Sequence, residues 1–378
     1  MDIQLKDLVQ INSMFHTSTN IEMNISELNA LDSFIPTSSS LDIISWLVKP
    51  FIDNNSLLRS HLLTGAYGKG KSYSVLVFLS LLSKQLDKQS SNVIRRKIRT
   101  KAPRLEANLN LIKDKKYLPI IIDGGYPSLT TSLNMGLKKA IKQNKININN
   151  INSSYTKALD VIASWEKNYP NTYNEFRKLV NITDFIEGLT SFNKSVLDEF
   201  CLLYPILTSG STFEPFSDLE IIKNLSKFSK EIEKYGYNGI VIVYDEFSKY
   251  LETYNNNISQ SDFRVLQDLA ELANNSKENN QIHLLLITHK MPKNYFTSSL
   301  MLQEWDAISG RFDYKELINE DYQAYEIIDN VIQKNDNEIS EIKKQYNNDY
   351  QELKQYFVNK QIVNVQTFET IEIQQREI

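Results

Sequence analysis

Four short apolar runs stand out along the chain, each bounded by polar or glycine-containing segments. They lie at residues 60–65, 117–125, 239–247 and 282–290, with the sequences SHLLTG, YLPIIIDGG, GIVIVYDEF and IHLLLITHK. Their length and their Leu, Ile and Val content are typical of strands buried on both faces. Segments with helical patterning separate them. The pattern therefore predicts an α/β fold with a parallel sheet covered by helices on both faces.

The polar and helical stretches divide the chain into three parts. Residues 1–56 are predicted to be a helical lead-in, with an amphipathic helix over 38–52. Residues 57–320 hold the four strand candidates and form the core. Within it, residues 143–237 are polar, helical and interrupted by Asn-rich breaks, so we expect a large helical insertion between strands. Residues 321–378 are charged and helical in pattern.

The C-terminal part carries a stripe of apolar residues at steps of three, four and seven. This spacing predicts one long amphipathic helix that needs a partner surface, either in this protein or in another chain. The stripe consists of Ile332, Ile339, Ile342, Tyr346, Tyr350, Leu353 and Phe357.

The octet GAYGKGKS at residues 65–72 satisfies the pattern G-x-x-x-x-G-K-[ST] and lies between a strand candidate and a helix candidate. This context predicts a phosphate-binding loop rather than an ordinary glycine-rich turn. We expect a Cβ at Gly68 or Gly70 to block the turn. Lys71 would reach the β- and γ-phosphates, and Ser72 would coordinate Mg²⁺. The predicted nucleotide-binding residues are Gly65, Ala66, Tyr67, Gly68, Lys69, Gly70, Lys71, Ser72 and Tyr73.

An acidic pair, Asp245–Glu246, directly follows the apolar run IVIVY. In a nucleotide-binding protein this is the pattern of a Walker B strand, in which Asp245 holds the Mg²⁺ shell. The adjacent Glu246 is placed to polarise an attacking water as a general base. The alternative is an acidic pair that simply ends a strand at the surface. The combination predicts hydrolysis of ATP rather than phosphoryl transfer to a small molecule.

Two further positions are candidates for contact with the γ-phosphate. Thr288 ends the run IHLLLIT, which we expect to insert between the loop strand and the acidic-pair strand, and His289 is the second choice there. Arg311 in ISGRFD is a candidate arginine finger, acting across a subunit interface. Each also has a purely structural alternative. Thr288 could simply end a strand, His289 could have a structural role, and Arg311 could be a salt-bridged surface residue.

Composition narrows the remaining choices. The chain has 378 residues and a net charge of −4. Its single cysteine, Cys201, cannot form an intrachain disulfide, which fits a cytoplasmic location, and we expect its side chain to be buried. No run is long enough to span a membrane, and the N-terminus lacks the apolar core of a signal peptide. Six cations among residues 95–104 could follow a nucleic-acid backbone, so DNA remains a candidate partner, although a solvated helix face is the usual explanation.

The motifs in their order resemble one family. GAYGKGKS, YLPIIIDGG, VIVYDEFSKYLE, FRVLQDLAELA, IHLLLITHK and EWDAISGRFDY are similar to the AAA+-like P-loop ATPases of bacterial phage-defence islands, such as the ATPase component of BREX-type systems. The resemblance covers roughly residues 20–330. It implies a three-layer ASCE-type P-loop core, ATP and Mg²⁺ as cofactors, and self-association or other defence-system subunits as partners. Members are usually much longer, with a lid region after the core.

Three functions stay open at this point. The first is an ATPase motor or remodeller that acts on DNA or on partner proteins in antiviral defence. The second is an ATP-dependent oligomerisation switch with slow hydrolysis. The third, a small-molecule kinase, is the weakest, because Glu246 favours water as the nucleophile.

Overall fold

A five-stranded, all-parallel sheet forms the centre of the protein. It is seen in a computed structural model, which describes residues 9–11, 19–25, 27, 31, 33–53, 56–86, 88–123, 128–146, 154–191, 193–213, 218–254, 260–276, 279–317, 327, 331–334, 340–341 and 344–359. The strands are β1 Val9–Ile11, β2 Ser60–Thr64, β3 Tyr117–Ile122, β4 Gly239–Tyr244, β5 Gln281–Thr288, β6 Asp313–Glu316 and β7 Ile332–Lys334.

The helices between these strands account for most of the described residues. They are α1 Ile21–Asn24, α2 Ser38–Ile52, α3 Lys71–Ser83, α4 Lys88–Lys101, α5 Pro103–Leu111, α6 Leu129–Gln143, α7 Ser154–Asn168, α8 Pro170–Leu179, α9 Ile182–Thr190, α10 Lys194–Leu207, α11 Asp218–Glu231, α12 Phe247–Tyr254, α13 Gln260–Asn274, α14 Ser299–Ser309 and α15 Asn347–Asn359. The predicted helix at residues 38–52 is confirmed, and Thr37 caps it by accepting a hydrogen bond from the Ser40 N–H.

Strands β2 to β5 are buried along their whole length, as their continuous apolar composition predicts. Successive residues contribute to cores on opposite faces of the sheet. In β4, Ile240 and Ile242 pack on one face, and Val241 and Val243 pack on the other. Helices α2 to α5 cover the second of these faces, and α6, α11, α13 and α14 cover the first. The predicted α/β fold with helices on both faces is confirmed.

The strand order is β3-β4-β5-β2-β6. As predicted, β5 lies between β2 and β4 and pairs with one of them on each side. Because all strands are parallel, their carboxyl ends share one edge of the sheet, and the segments that follow Thr64, Tyr244 and Thr288 come together there. Open parallel sheets generally bind ligands at this edge.

Helices α7 to α10 lie between β3 and β4 in the chain and have an aromatic core of their own. Trp165 stacks on Tyr204 with ring centroids 5.7 Å apart, and Phe176 and Phe185 meet edge to face at 5.3 Å. The expectation that Cys201 is buried is wrong: it lies exposed on α10, because the buried face of that helix is formed by residues such as Phe200.

The long C-terminal helix predicted from Ile332 onward is wrong at its start. Residues Ile332–Lys334 form β7, which pairs antiparallel with β1. Backbone pairing with a strand that contains Val9 and Ile11 outweighs the helical spacing, because β-branched residues favour extended backbone. Of the remaining stripe, Tyr346 and Leu353 are exposed, whereas Ile339 and Ile342 lie outside the described residues.

Candidate functional site

The glycine-rich loop, residues 65–72, connects the carboxyl end of β2 to the first turn of α3. Gly68 and Gly70 have φ angles of +70° and +77°, and the space where a Cβ would stand is open at both. The expectation that a Cβ would block the turn is therefore wrong. Glycine is favoured because L-residues rarely adopt this left-handed backbone. No side chain caps the first turn of α3, so its N–H groups and positive dipole end face the loop.

Lys71 closes the loop on itself. Its ammonium is buried and donates hydrogen bonds to the carbonyl oxygens of Gly65 and Ala66 at 2.6 and 2.8 Å. Burial lowers the pKa of Lys71 to about 8, against a smaller opposing effect of the Asp245 carboxylate. The lysine predicted to contact phosphate is thus held inside the loop, beside the uncapped helix end.

Ser72 and Asp245, which are distant in sequence, meet beneath the loop. The Ser72 hydroxyl donates to Asp245 Oδ1 at 3.1 Å, and the backbone N–H of Glu246 donates to the same oxygen at 3.1 Å. Burial raises the pKa of Asp245, and the hydrogen bond from Ser72 counteracts it. One hydroxyl and one carboxylate side by side offer the oxygen ligands that a Mg²⁺ ion takes from protein.

Glu246 has an unusual backbone for a non-glycine residue, with φ of +56°. Such left-handed conformations cost on the order of 1–3 kcal/mol and concentrate at functional sites. Its carboxylate forms an ion pair with the ammonium of Lys249, one turn along α12. The hydrogen bond to Glu246 in turn raises the pKa of Lys249. The predicted general base is therefore held by a neighbouring cation.

Two threonines lie side by side at the carboxyl ends of neighbouring strands. Thr288 at the end of β5 is in register with Thr64 at the end of β2. Both residues are buried, and neither Oγ1 has a hydrogen-bond partner in the described part of the chain. Buried hydroxyls are normally satisfied, so two adjacent exceptions mark a place for a polar ligand or water. Sequence reasoning missed Thr64, although it ends its apolar run just as Thr288 does.

His289 contacts the loop directly. Its ring stacks on Tyr67, with centroids 3.3 Å apart and planes 27° from parallel. Both ring nitrogens are buried and lack hydrogen-bond partners among the described residues. Burial lowers the pKa of His289, and the nearby charge of Lys71 lowers it further, which favours the neutral ring. His289, the second choice in the sequence, is therefore the one that the structure brings against the loop.

Arg311 lies near the amino-terminal ends of the strands, whereas the glycine-rich loop lies at their carboxyl ends. It precedes β6, whose first residue Asp313 is level with His61, whereas the glycine-rich loop leaves β2 level with Glu316. Its guanidinium pairs with Glu271 at 2.7 Å and donates to the Ala307 carbonyl at 2.7 Å. The structure does not bring Arg311 to the glycine-rich loop of its own chain.

The remaining predicted loop residues differ in their surroundings. Ala66, Gly68 and Lys69 are exposed at the loop surface. Tyr73 instead packs toward the core beside α2, with its hydroxyl 3.5 Å from that of Ser33. In the described part of the chain, no cluster of three or more His, Cys, Asp or Glu side chains could hold a metal ion by itself. Nor does any helix described there have the length and apolar character to cross a membrane.

Comparison with known proteins adds no assignment. No family model matches the chain, and no curated protein matches it significantly.

Proposed function

We propose that the protein binds ATP with Mg²⁺ at the glycine-rich loop and hydrolyses it. The observation that carries this proposal is the contact of Ser72 with Asp245 beside the uncapped start of α3. The sequence motifs alone predict both residues for one metal shell, and their side chains meet although Ser72 lies in α3, after β2, and Asp245 follows β4. The strand between β2 and β4 supports an ASCE-type P-loop core, because Thr288 then ends between the two motifs.

The residues present fit the substrate and its metal. Free N–H groups at the start of α3 and the ammonium of Lys71 supply positive charge for phosphate oxygens. Ser72 and Asp245 would hold Mg²⁺, which takes only one or two protein ligands when phosphates complete its shell. When bound, Mg²⁺ neutralises charge on the β- and γ-phosphates. The unpartnered atoms of Thr288, Thr64 and His289 supply further polar contacts at the same edge.

Glu246 is the proposed general base. Its carboxylate would accept a proton from the attacking water, while Thr288 orients that water or a γ-phosphate oxygen. Lys71 would stabilise the charge that develops on the transferred group. In the observed state, Lys71 is bonded to loop carbonyls and Glu246 to Lys249, so both must change partners before the reaction.

A second candidate function is an ATP-dependent oligomerisation switch with slow hydrolysis. The ion pair between Glu246 and Lys249 favours it, because a base that is held by a cation takes a proton from water less readily. Arg311 lies away from its own site and would complete a site only across an interface between copies. Slow turnover that DNA does not change, together with growth in size on ATP addition measured by light scattering, indicates the switch, whereas strong stimulation of turnover by DNA indicates the motor.

The cellular role rests on the resemblance alone. We propose an AAA+-like ATPase component of a multi-protein anti-phage defence system, cytoplasmic, which acts on DNA or on partner subunits. Turnover measured with and without DNA tests this part, since a DNA-acting motor is stimulated by its substrate.

Hydrolysis is tested by Glu246→Gln. We expect this variant to retain ATP binding and to lose turnover by a factor of about 10²–10⁴, the usual contribution of a general base. The matched control is Glu252→Gln, an exposed residue on α12, the helix that follows Glu246. Equal turnover by wild type and Glu246→Gln would remove Glu246 from the mechanism. Absence of turnover in the wild type with Mg²⁺ would contradict the proposed hydrolysis.

A further inference from the structure

We propose that the groove between α4 and α5, here named the basic groove, binds the phosphate backbone of double-stranded nucleic acid. The inference is independent of the ATP site, and it starts from an uneven distribution of charge. Residues 84–116 contain eleven Lys and Arg against three Asp and Glu, a net charge of +8. The whole chain has a net charge of −4, so the rest carries −12. A cationic segment on an otherwise acidic protein is typical of a site for polyanions.

Part of this charge is exposed on α4 and α5. Ile94 and Ile98 bury one face of α4 in the core, which turns the cations of the helix outward. Arg96, Arg99 and Arg104 are exposed, and none of them forms an ion pair with a described residue. By contrast, Arg95 and Lys97 have structural roles: Arg95 pairs with Glu106 at 2.9 Å, and Lys97 donates to the Phe34 carbonyl at 3.0 Å.

The groove has the size and lining of a backbone site. Its open volume is about 730 Å³, and its polar walls include Lys88, Gln89, Asn92, Arg96, Arg99 and Asn110. Among the described residues that line it, Glu106 is the only acidic one, and it is already paired with Arg95. Amide side chains beside cations donate hydrogen bonds to phosphate and sugar oxygens, as in most protein–DNA contacts.

The lining also indicates which nucleic acid fits. None of the described residues that line the groove is aromatic, so they offer bases no ring to stack on, unlike sites for single strands. Helix α4 has 14 residues and is about 21 Å long, which matches about six phosphates along one strand of a duplex. We therefore assign the groove to duplex backbone, read without base contacts.

The test is the affinity for a short fluorescent DNA duplex, measured by anisotropy without nucleotide across a salt series. The three groove cations that form no ion pair with a described residue, Lys88, Arg96 and Arg99, predict a slope of about −3 for log K against log salt concentration. Between about 50 and 200 mM salt, affinity then falls roughly 40-fold. The triple variant Lys88→Glu, Arg96→Glu, Arg99→Glu is expected to bind at least tenfold more weakly and to bring the slope close to zero.

The matched control reverses three exposed cations on the helical insertion: Lys167→Glu, Arg177→Glu and Lys178→Glu. It changes net charge equally and should leave duplex affinity within about twofold. Circular dichroism checks that both variants are folded. Equal weakening by both variants would reduce the effect to overall charge and overturn the proposal.

Two other results would also overturn it. One is much tighter binding of single strands than of the duplex. The other is a change in oligomeric size of the basic-groove variant without a change in duplex affinity, which would assign the groove to the acidic surface of a second copy. Because no nucleotide is present in these measurements, failure of the proposed ATPase activity does not affect their outcome.

Discussion

Acid should destabilise this fold through a histidine buried at the edge of the sheet opposite to the glycine-rich loop. His61 in β2 is 3% exposed, and its ring meets Trp46 edge to face at 4.7 Å. Burial lowers the pKa of His61 to about 4, while Asp313 and the Arg59 backbone partly oppose this shift. The unfolded chain protonates the same residue near pH 6.5.

The sign and size follow from proton linkage. Above pH 6.5, the ring is neutral in both states and has no effect. As the pH falls from 6.5 towards 4, the unfolded state binds the proton first, so stability decreases. Each pKa unit corresponds to about 1.4 kcal/mol, which gives a loss of about 2.5 kcal/mol between pH 7 and pH 4.5. His283 adds to the loss, because burial lowers its pKa as well.

Urea denaturation at pH 7 and pH 4.5 measures this effect, with His61→Phe as the comparison. Phenylalanine keeps a ring against Trp46 and removes the titrating group. We expect its free energy of unfolding to fall less with acid than that of the wild type, by about 2.5 kcal/mol. Other groups, such as Asp245 with its raised pKa, titrate in both proteins and cancel in the difference. Parallel pH profiles for the two proteins would refute the reasoning.

Three further predictions concern the site and the insertion. Lys249→Met removes the cation that pairs with Glu246. Because a part-exposed ion pair contributes about 0.2–1 kcal/mol, turnover should rise up to about fivefold, and an unchanged rate would mean that the pair does not restrain the base. Thr288→Val should lower turnover by about tenfold while ATP affinity changes little, and an equal loss of both would assign it to binding instead. Phe200→Ala removes the centre of the aromatic core of α7 to α10 and should destabilise those helices by about 3–5 kcal/mol. Hydrogen exchange measures this loss; an equal loss of protection in these helices and in the central sheet would contradict a separate core.

The sequence predicted the fully buried strands β2 to β5 and missed β1, β6 and β7. The strands β2 to β5 are apolar throughout, so composition alone identifies them. Strand β6 reads DYKE and is only partly buried, and β1 and β7 have three residues each, too short for a periodic signal. These strands depend on the partner against which they pair.

For the candidate site, the sequence indicated the motifs but not most of the contacts between their side chains. Ser72 and Asp245 meet as their motifs indicate, whereas the ion pair of Glu246 with Lys249 and the stacking of His289 on Tyr67 depend on side-chain placement that no spacing encodes. The position of Arg311 follows from strand direction: residues before a parallel strand lie at the opposite edge from residues after it. Sequence order alone does not reveal that Arg311 and the glycine-rich loop lie at opposite ends of the strands.

Binding of ATP to the variant Lys71→Ala tests the central claim most directly. Isothermal titration calorimetry with Mg²⁺ and ATP should give one site per wild-type chain. The variant loses a charge-assisted contact of about 1.5–3 kcal/mol and should bind at least tenfold more weakly. Lys227→Ala, an exposed lysine on α11, is the control and should bind as the wild type does. Equal ATP affinity in the wild type and in Lys71→Ala would contradict the assignment of the glycine-rich loop as the nucleotide site.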